Sequence, residues 1–507
     1  MFYRKITIPL NLPRSYGKNN GSYNSNINLI HEIINCNKKN EKSIIISFKN
    51  YFIQKISLDK NEPLNTFLDK IISIIFLSKD IQQGLYQLLR FVDSVALNLI
   101  FTNNLFKKDY LFNNLSEVLS FSGYLTNFIS EDIKLLDILD PNYAIRLNGN
   151  ITFYKNMYDK IDPDLYDEET LLDLLRKSHR FLKFQILFAL IQGEINILKF
   201  AKELSLLAQS TLDKTIDIVE KEIKKKYNIE LDQYCIIAYG RFASLNMSAN
   251  SDLDLVFIYS DNVNAIESDR LAHLDLFRKL TNILSIKTNE GILYEVDTKL
   301  RPSGKTGPIA STFSNFKNYQ KNNAFSWEKI ALRKTRIVSK ENNFSSQLSN
   351  LIKDLNSYPI STNELAKEIN LMRIGSNHKG TNNDNTKKNQ PSKWFETKYT
   401  AGGQRDIEFL RFFYNDKSHF KIAHEIEKKM IFLKNMETLF FKIDQIMNIC
   451  FLNEKQDDLT FKAITLLISE TNEKDLGSLK ANVNNGKVEI FNTLNKILLH
   501  HDHIDIT

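Results

Sequence analysis

Two aspartates, Asp252 and Asp254, stand at the head of an otherwise apolar run from Leu253 to Tyr259. No other feature constrains the chain as much. A run of this length and composition reads as a buried strand. Side chains alternate across a strand, so a spacing of two sets both carboxylates on one face. Two ionised acids together on an apolar strand are costly unless a cation neutralises them. Roughly forty residues later, Tyr294-Glu295-Val296-Asp297 reads as a second short strand that ends in a third carboxylate. Upstream, Cys235 to Tyr239 reads as a strand entering the turn Gly240-Arg241-Phe242-Ala243-Ser244. Three carboxylates beside a tight turn suit hard divalent cations, Mg2+ or Mn2+, that hold a nucleoside triphosphate. Asp252, Asp254 and Asp297 are therefore the candidate metal ligands and catalytic residues. Glu295 shares a face with Asp297, either as a fourth acid or as the partner of a lysine.

The small residues of the Gly240 turn let backbone N–H groups approach phosphate, which makes Gly240, Ser244 and Ser251 candidate nucleotide-binding residues. Arg301, Arg333 and Arg336 offer fixed forks of donors, and Lys305 a point charge, as candidate phosphate partners. Surface salt bridges are the alternative for each.

At 507 residues the chain exceeds one core, and about three domains are expected. Three cysteines, Cys36, Cys235 and Cys450, lie far apart and are odd in number. This excludes a disulfide framework or a structural zinc motif and points to a reducing compartment. Phe181 to Phe200 is the most apolar long stretch, but Lys183, Gln185, Gln192 and Glu194 interrupt it, so no membrane span is expected. The N-terminus lacks the long apolar region of a secretory signal, and a cytoplasmic protein is expected. Net charge is +7, yet the lysines are scattered among asparagines, which reads as a solvated surface and argues against nucleic acid as partner.

Residues 1–60 are weakly patterned, with a polar loop over Gly17 to Asn26. Residues 61–150 read as a helical domain, best marked by Leu89, Val92, Val95, Ala96 and Leu99 at helical spacing. Residues 151–345 hold long helices, then strand, turn, strand, helix (Asp269 to Lys287) and strand, which specifies a small mixed sheet flanked by helices. Asp167, Glu168 and Glu169 suit a helix first turn. Residues 346–400 read as a helix and the low-complexity loop Asn377 to Ser392; residues 401–507 read as a C-terminal helical domain. Gly402-Gly403 before Asp406 and Glu408 fits its first helix start. His500-His501-Asp502-His503 reads as a frayed tail rather than a metal site. The fold class is α+β and mostly helical.

The small-residue turn, the Asp-x-Asp and the later Asp resemble the DNA polymerase β nucleotidyltransferase superfamily. Gly291 to Gly304, then Phe316 to Gln320 with Trp327-Glu328 and Ala331 to Arg336, then Lys398 with Ala401-Gly402-Gly403 and Asp406-Ile407-Glu408-Phe409, resemble the glutamine synthetase adenylyltransferases in the same order. The resemblance covers roughly residues 85 to 500, and its wording is similar to the C-terminal, adenylylating half of that duplicated family. It implies a polymerase β-like domain flanked by helical domains, with Asp252, Asp254 and Asp297 holding two Mg2+ (or Mn2+) ions. It also implies transfer of AMP from ATP to a tyrosine of glutamine synthetase, with a PII-type signalling protein as a further partner. Residues 1–60 carry no obvious match to the family and would be a remnant of its other half.

One departure stands out: members have Gly-Gly where this chain has Ala243-Ser244. Alanine does not enter positive-φ space cheaply, so a catalytically weakened module that binds glutamine synthetase or a PII protein is one alternative. An RNA nucleotidyltransferase is the other.

Overall fold

A computed structural model describes residues 62–99, 109–140, 147, 149–378, 393–415, 420–450 and 459–502. The polar loop over Gly17 to Asn26, Cys36 and residues 379–392 of the low-complexity loop lie outside this set, as do the side chains of Val95, Ala96 and the terminal histidines. The chain divides into two units, Met1–Ser120 and Phe121–Thr507. In the first, α1 (Glu62–Leu77), α2 (Ile81–Leu99) and most of α3 (Asp109–Phe121) bury Phe67, Ile71, Ile75, Leu89 and Val92. On each helix these residues recur three or four apart, which sets them on one face of it, as read from the sequence for Leu89 and Val92.

The second unit is helical around a small mixed sheet. After α4 (Gly123–Glu131) and α5 (Ile151–Tyr158) come two long helices, α6 (Glu168–Ile191) and α7 (Ile197–Tyr227). Asp167 caps α6, its carboxylate accepting from Thr170 N at 2.8 Å, and Glu168 and Glu169 fill the first turn. The apolar stretch Phe181 to Phe200 is therefore the end of one helix, a turn with Gly193 at φ +73, and the start of the next. Among the described residues no helix is long and apolar enough to cross a membrane.

The strands follow: β1 (Tyr234–Ala238), β2 (Leu253–Tyr259), β3 (Val296–Asp297), β4 (Ala310–Thr312) and β5 (Arg336–Ile337). The order is β3-β2-β1-β5, with β4 continuing along the same edge of β2 as β3. β1 runs antiparallel to β2 and β5; β3 and β4 run parallel to β2. The second acidic strand is shorter than expected. Tyr294 donates its N–H to Leu284 O at 2.9 Å and is buried as core, leaving two residues for the ladder. β4 and β5 were not expected, being too short to carry a periodic signal.

Both faces of the sheet are covered, which explains the unbroken apolar text of β1 and β2. On one face Phe257 stacks on Phe277 of α9 (Glu267–Ser285) at 4.7 Å between centroids, and Tyr234 donates to Glu220 of α7 at 2.8 Å. On the other, Cys235, Ile237, Val256 and Ile258 pack with Phe316, Leu332, Phe344 and Leu348 of α10 (Phe313–Asn322), α11 (Ser326–Leu332) and α12 (Asn343–Ser357). Asp254 shares that second face at the open end of β2. Cys235 and Cys450 are buried free thiols.

Past α13 (Thr362–His378), the C-terminal helices are α14 (Gln404–Asn415), α15 (Phe420–Glu427), α16 (Met430–Cys450), α17 (Phe461–Thr471) and α18 (Leu476–Asp502). Ser122 joins them to α4: its hydroxyl accepts from Leu125 N at 3.3 Å as the N-cap and donates to Ile449 O at 2.6 Å. Ser122→Ala removes both bonds at a buried position. It is expected to cost about 1–2 kcal/mol, measured as a lowered urea midpoint.

Candidate active site

The register of the parallel ladder assembles the acids. Leu253 lies opposite Val296 and Asp254 opposite Asp297, and Leu253 N donates to Glu295 O at 2.8 Å. In-register neighbours point the same way, so Asp297 meets Asp254, and Asp252 joins them from two residues upstream. One carboxylate oxygen from each of the three lies within 4.8 Å of the others. Asp252 is exposed and the other two half-buried, so the cluster opens to solvent. Glu295 is exposed and does not join the cluster.

Three acids at such range strain each other. Burial pushes Asp254 up to about 6, Asp252 and Asp297 push it in the same direction, and Lys398 and Lys299 oppose them. Lys299 is bound to Asp297 twice, its N–H to Oδ1 at 2.8 Å and its ammonium to Oδ2. An acid pushed up by its neighbours and a lysine folded onto another are what a cluster short of positive charge produces. Three carboxylates are a hard-donor set, which fits Mg2+ or Mn2+ and no softer metal.

Gly240 sits against this cluster with φ +58, and a Cβ there would lie 2.5 Å from Asp254 Oδ2. It opens the one-turn helix α8 (Gly240–Ala243), whose first bonded amide is Ala243 N, to Tyr239 O at 3.2 Å. The amides of Gly240, Arg241 and Phe242 thus have no acceptor within the helix. Ala243 does not need positive φ: that conformation falls on Gly240 and, beyond the turn, on Leu245 (φ 56). The steric reason for expecting a weakened site at Ala243 is thereby removed. Gly240→Ala is expected to displace Asp254 and lower activity about 100-fold with the fold retained, seen as loss of turnover at unchanged circular dichroism.

The other candidates occupy varied places. The Ser244 hydroxyl donates to Gly240 O at 3.0 Å and is exposed. Ser251 Oγ accepts from Ser248 N at 2.9 Å and lies 2.9 Å from Ser248 Oγ, fixing the loop before Asp252. Arg301 closes the loop after β3, donating to Thr298 O (2.8 Å), Thr298 Oγ1 (2.7 Å) and Pro308 O (2.9 Å). Arg336 braces α8 from β5, donating to Phe242 O at 3.2 Å and Gln209 Oε1 at 2.7 Å with its guanidinium 5.1 Å from the Phe242 ring centre. Arg333 is exposed and sits 5.3 Å from the Phe412 ring. The side chain of Lys305 lies outside the described residues.

Lys299 and Lys398, by contrast, act on the carboxylates and were assigned no role from the sequence. Lys398 comes from a loop packed on the C-terminal helices. Lys487 of α18, itself buried, donates to Trp394 O (3.0 Å) and Glu396 O (2.8 Å), and Thr397 donates to Phe440 O (3.3 Å). Gly402 N donates to Asp406 Oδ2 at 2.8 Å in the first turn of α14. A solvent-open concavity lined by Glu425, Lys429, Glu489 and Lys496 lies between α18 and the end of α15 with the turn after it; its walls are joined by Lys429–Glu489 (3.2 Å) and Lys496–Glu425 (2.6 Å). It contains none of the three acids.

Residues 112–350 match the family model "Glutamate-ammonia ligase adenylyltransferase". Curated relatives include bifunctional glutamine synthetase adenylyltransferase/adenylyl-removing enzymes. That of Mannheimia haemolytica is 26% identical over 382 residues, covering 72% of this chain and 39% of the relative. That of Vibrio parahaemolyticus is 27% identical over 459 residues, covering 87% and 46%, and that of Haemophilus ducreyi 28% over 370 residues, covering 70% and 38%. The chain thus spans less than half the length of these relatives. The matched segment contains the turn, all three aspartates and both strands that hold them. The match of residues 112–350 to this family's model bears out the resemblance read from the motifs.

Proposed function

We propose that this chain is a nucleotidyltransferase that moves AMP from ATP to a tyrosine of glutamine synthetase, through a polymerase β-like core within residues 151–345. The observation that carries the reading is the convergence of Asp252, Asp254 and Asp297 beside the Gly240 turn, inside a segment that matches this family. Asp252, Asp254 and Asp297 would hold divalent cations, which supply neutralisation of the triphosphate charge and a lower pKa for the acceptor hydroxyl when bound. The backbone amides of Gly240, Arg241 and Phe242 face phosphate oxygens, and Ser244 and Ser251 hold the shape of the turn and loop that present them. Arg301 and Arg336 keep the two flanking segments in place, while Lys299 can exchange its carboxylate partner for phosphate and Lys398 adds positive charge near the acids. Lys305 and Arg333 are further candidate phosphate partners. There is no covalent enzyme intermediate in this scheme; rate comes from alignment and charge stabilisation.

The test is the mass of glutamine synthetase after incubation with this protein, ATP and Mg2+. The expected result is one adenylyl group on one tyrosine per subunit, with release of pyrophosphate. No mass change with both proteins folded would reject the proposal. Removal of AMP from adenylylated glutamine synthetase in the presence of phosphate, without transfer, would reassign the chain to the opposite activity that the relatives' names include. Addition of a PII-type protein in a parallel arm reads whether the rate responds to that partner.

A further inference from the structure

The segment between the Gly240 turn and Asp252 is held by a helix from a distant part of the chain. Three residues of α16 reach it. Asp444 pairs with Arg241 of α8 at 2.5 Å, Gln445 Nε2 donates to Asn246 O at 3.2 Å, and Asn448 O accepts from Asn250 Nδ2 at 2.9 Å. Asp444 and Asn448 are four apart and so share a helix face. From Arg241 the contacts continue toward the acids. Its Nη1 donates to Ser248 Oγ at 2.8 Å, Ser248 Oγ lies 2.9 Å from Ser251 Oγ, and Ser251 directly precedes Asp252.

The Arg241–Asp444 pair is mostly buried, with 21% and 17% of the two side chains exposed. Its contact is a close ion pair rather than an aligned hydrogen bond, since Asp444 Oδ2 has no hydrogen-bond partner. Burying such a pair returns little net stability compared with apolar packing, whereas it defines one relative placement of the two elements. An apolar contact would tolerate sliding of α16 along the loop; a charge pair with two flanking amide contacts does not.

We propose that Asp444 is a positioning residue for the Asp252–Asp254–Asp297 centre, acting through Arg241 and the Ser248–Ser251 hydroxyl pair. The C-terminal helices thereby set the placement of the first acid without touching substrate. This rests on the proposed function above for its activity readout, but its structural readout is independent of it. Asp444→Asn keeps the shape of the side chain and removes its charge; Arg241→Ala removes the other partner.

Each single substitution is expected to lower kcat for AMP transfer about 10- to 100-fold, the scale of a misplacement near 1 Å. KM for ATP should change little, because the lost interaction serves alignment rather than ground-state binding. The double variant should be no worse than the poorer single one, because both remove one interaction. Asp444→Glu should recover part of the rate. In the metal-free protein, amide hydrogen exchange should accelerate in residues 246–251 and stay unchanged in β1 and α7. Unchanged exchange in that loop, or single losses that multiply in the double variant, would overturn the proposal. So would exchange that rises everywhere together with a lowered melting temperature, since that marks a merely structural pair. A wild-type protein that transfers no AMP would sink the proposed function alone, and the exchange measurement would still decide this inference.

Discussion

Asp254→Asn is expected to reduce AMP transfer by about 1,000-fold or more while raising the stability of the metal-free protein. On the proposed function, the loss of activity follows from removing the central candidate ligand of a site that would act by charge stabilisation. The gain in stability follows from the same geometry. Asp254 is pushed up to about 6 by burial and by Asp252 and Asp297. A carboxyl whose pKa is higher in the folded than in the unfolded protein binds protons preferentially when folded. Its ionised form therefore destabilises the fold at neutral pH, and stability falls as pH rises between its ordinary value near 4 and about 6. With Lys299 and solvent screening part of the repulsion, asparagine should return about 1–2 kcal/mol at pH 7.5. The check is a pair of urea melts at pH 7.5 and pH 5 with chelator present. The wild type should be the less stable protein at pH 7.5, and the gap should narrow at pH 5. Adding Mn2+ should stabilise the wild type at pH 7.5 and leave the variant unchanged. A variant less stable than wild type at pH 7.5 without metal would show that the three acids are not in repulsive contact.

Gly402→Ala is expected to be the most destabilising single methyl addition among these glycines. Gly402 has φ +74, and a Cβ there would lie 1.9 Å from the Lys487 carbonyl oxygen and 2.7 Å from its Cα. Neither the left-handed backbone nor the helix backbone opposite can give way cheaply, so a cost of at least about 3 kcal/mol follows. Gly193 provides the internal comparison: φ is +73, but nothing lies within 4 Å of its Cβ position. Gly193→Ala should cost only the conformational part, about 1 kcal/mol. The difference between the two urea midpoints measures the clash alone. Because the Gly402 turn anchors the loop that carries Lys398, the Gly402 variant should also lose activity at temperatures where it remains folded. Equal midpoints for the two variants would mean that α18 does not pack against this turn as described.

Much of the site was legible in the residues because the relevant physics is local. The apolar run of β2 and the two-residue spacing of its acids are set by strand alternation, and β2 starts and ends where that pattern does. The cap at Asp167 and the start of α14 after Gly402-Gly403 follow from backbone groups that need partners at helix ends. What could not be read locally depends on which distant segments meet. β4 and β5 exist because the edges of β2 and β1 supply hydrogen-bond partners for segments with no strand pattern of their own.

Two of the three arginines that the sequence offered as phosphate partners are bonded to carbonyl oxygens of loops and turns, Arg301 to those of Thr298 and Pro308 and Arg336 to that of Phe242. A guanidinium's own identity does not say which acceptor it will find. By itself, then, the amino-acid sequence determined the mostly helical class, the acidic strand and the family resemblance, because periodicity, turn chemistry and motif order survive without coordinates. Only the tertiary structure decided that Asp297 stands opposite Asp254, that the charge of Lys398 acts on Asp254, and that Asp444 reaches Arg241 beside the loop before Asp252. Those meetings bring together residues from about forty to just over two hundred positions apart, and packing of the whole second unit sets them, not any local preference of the chain.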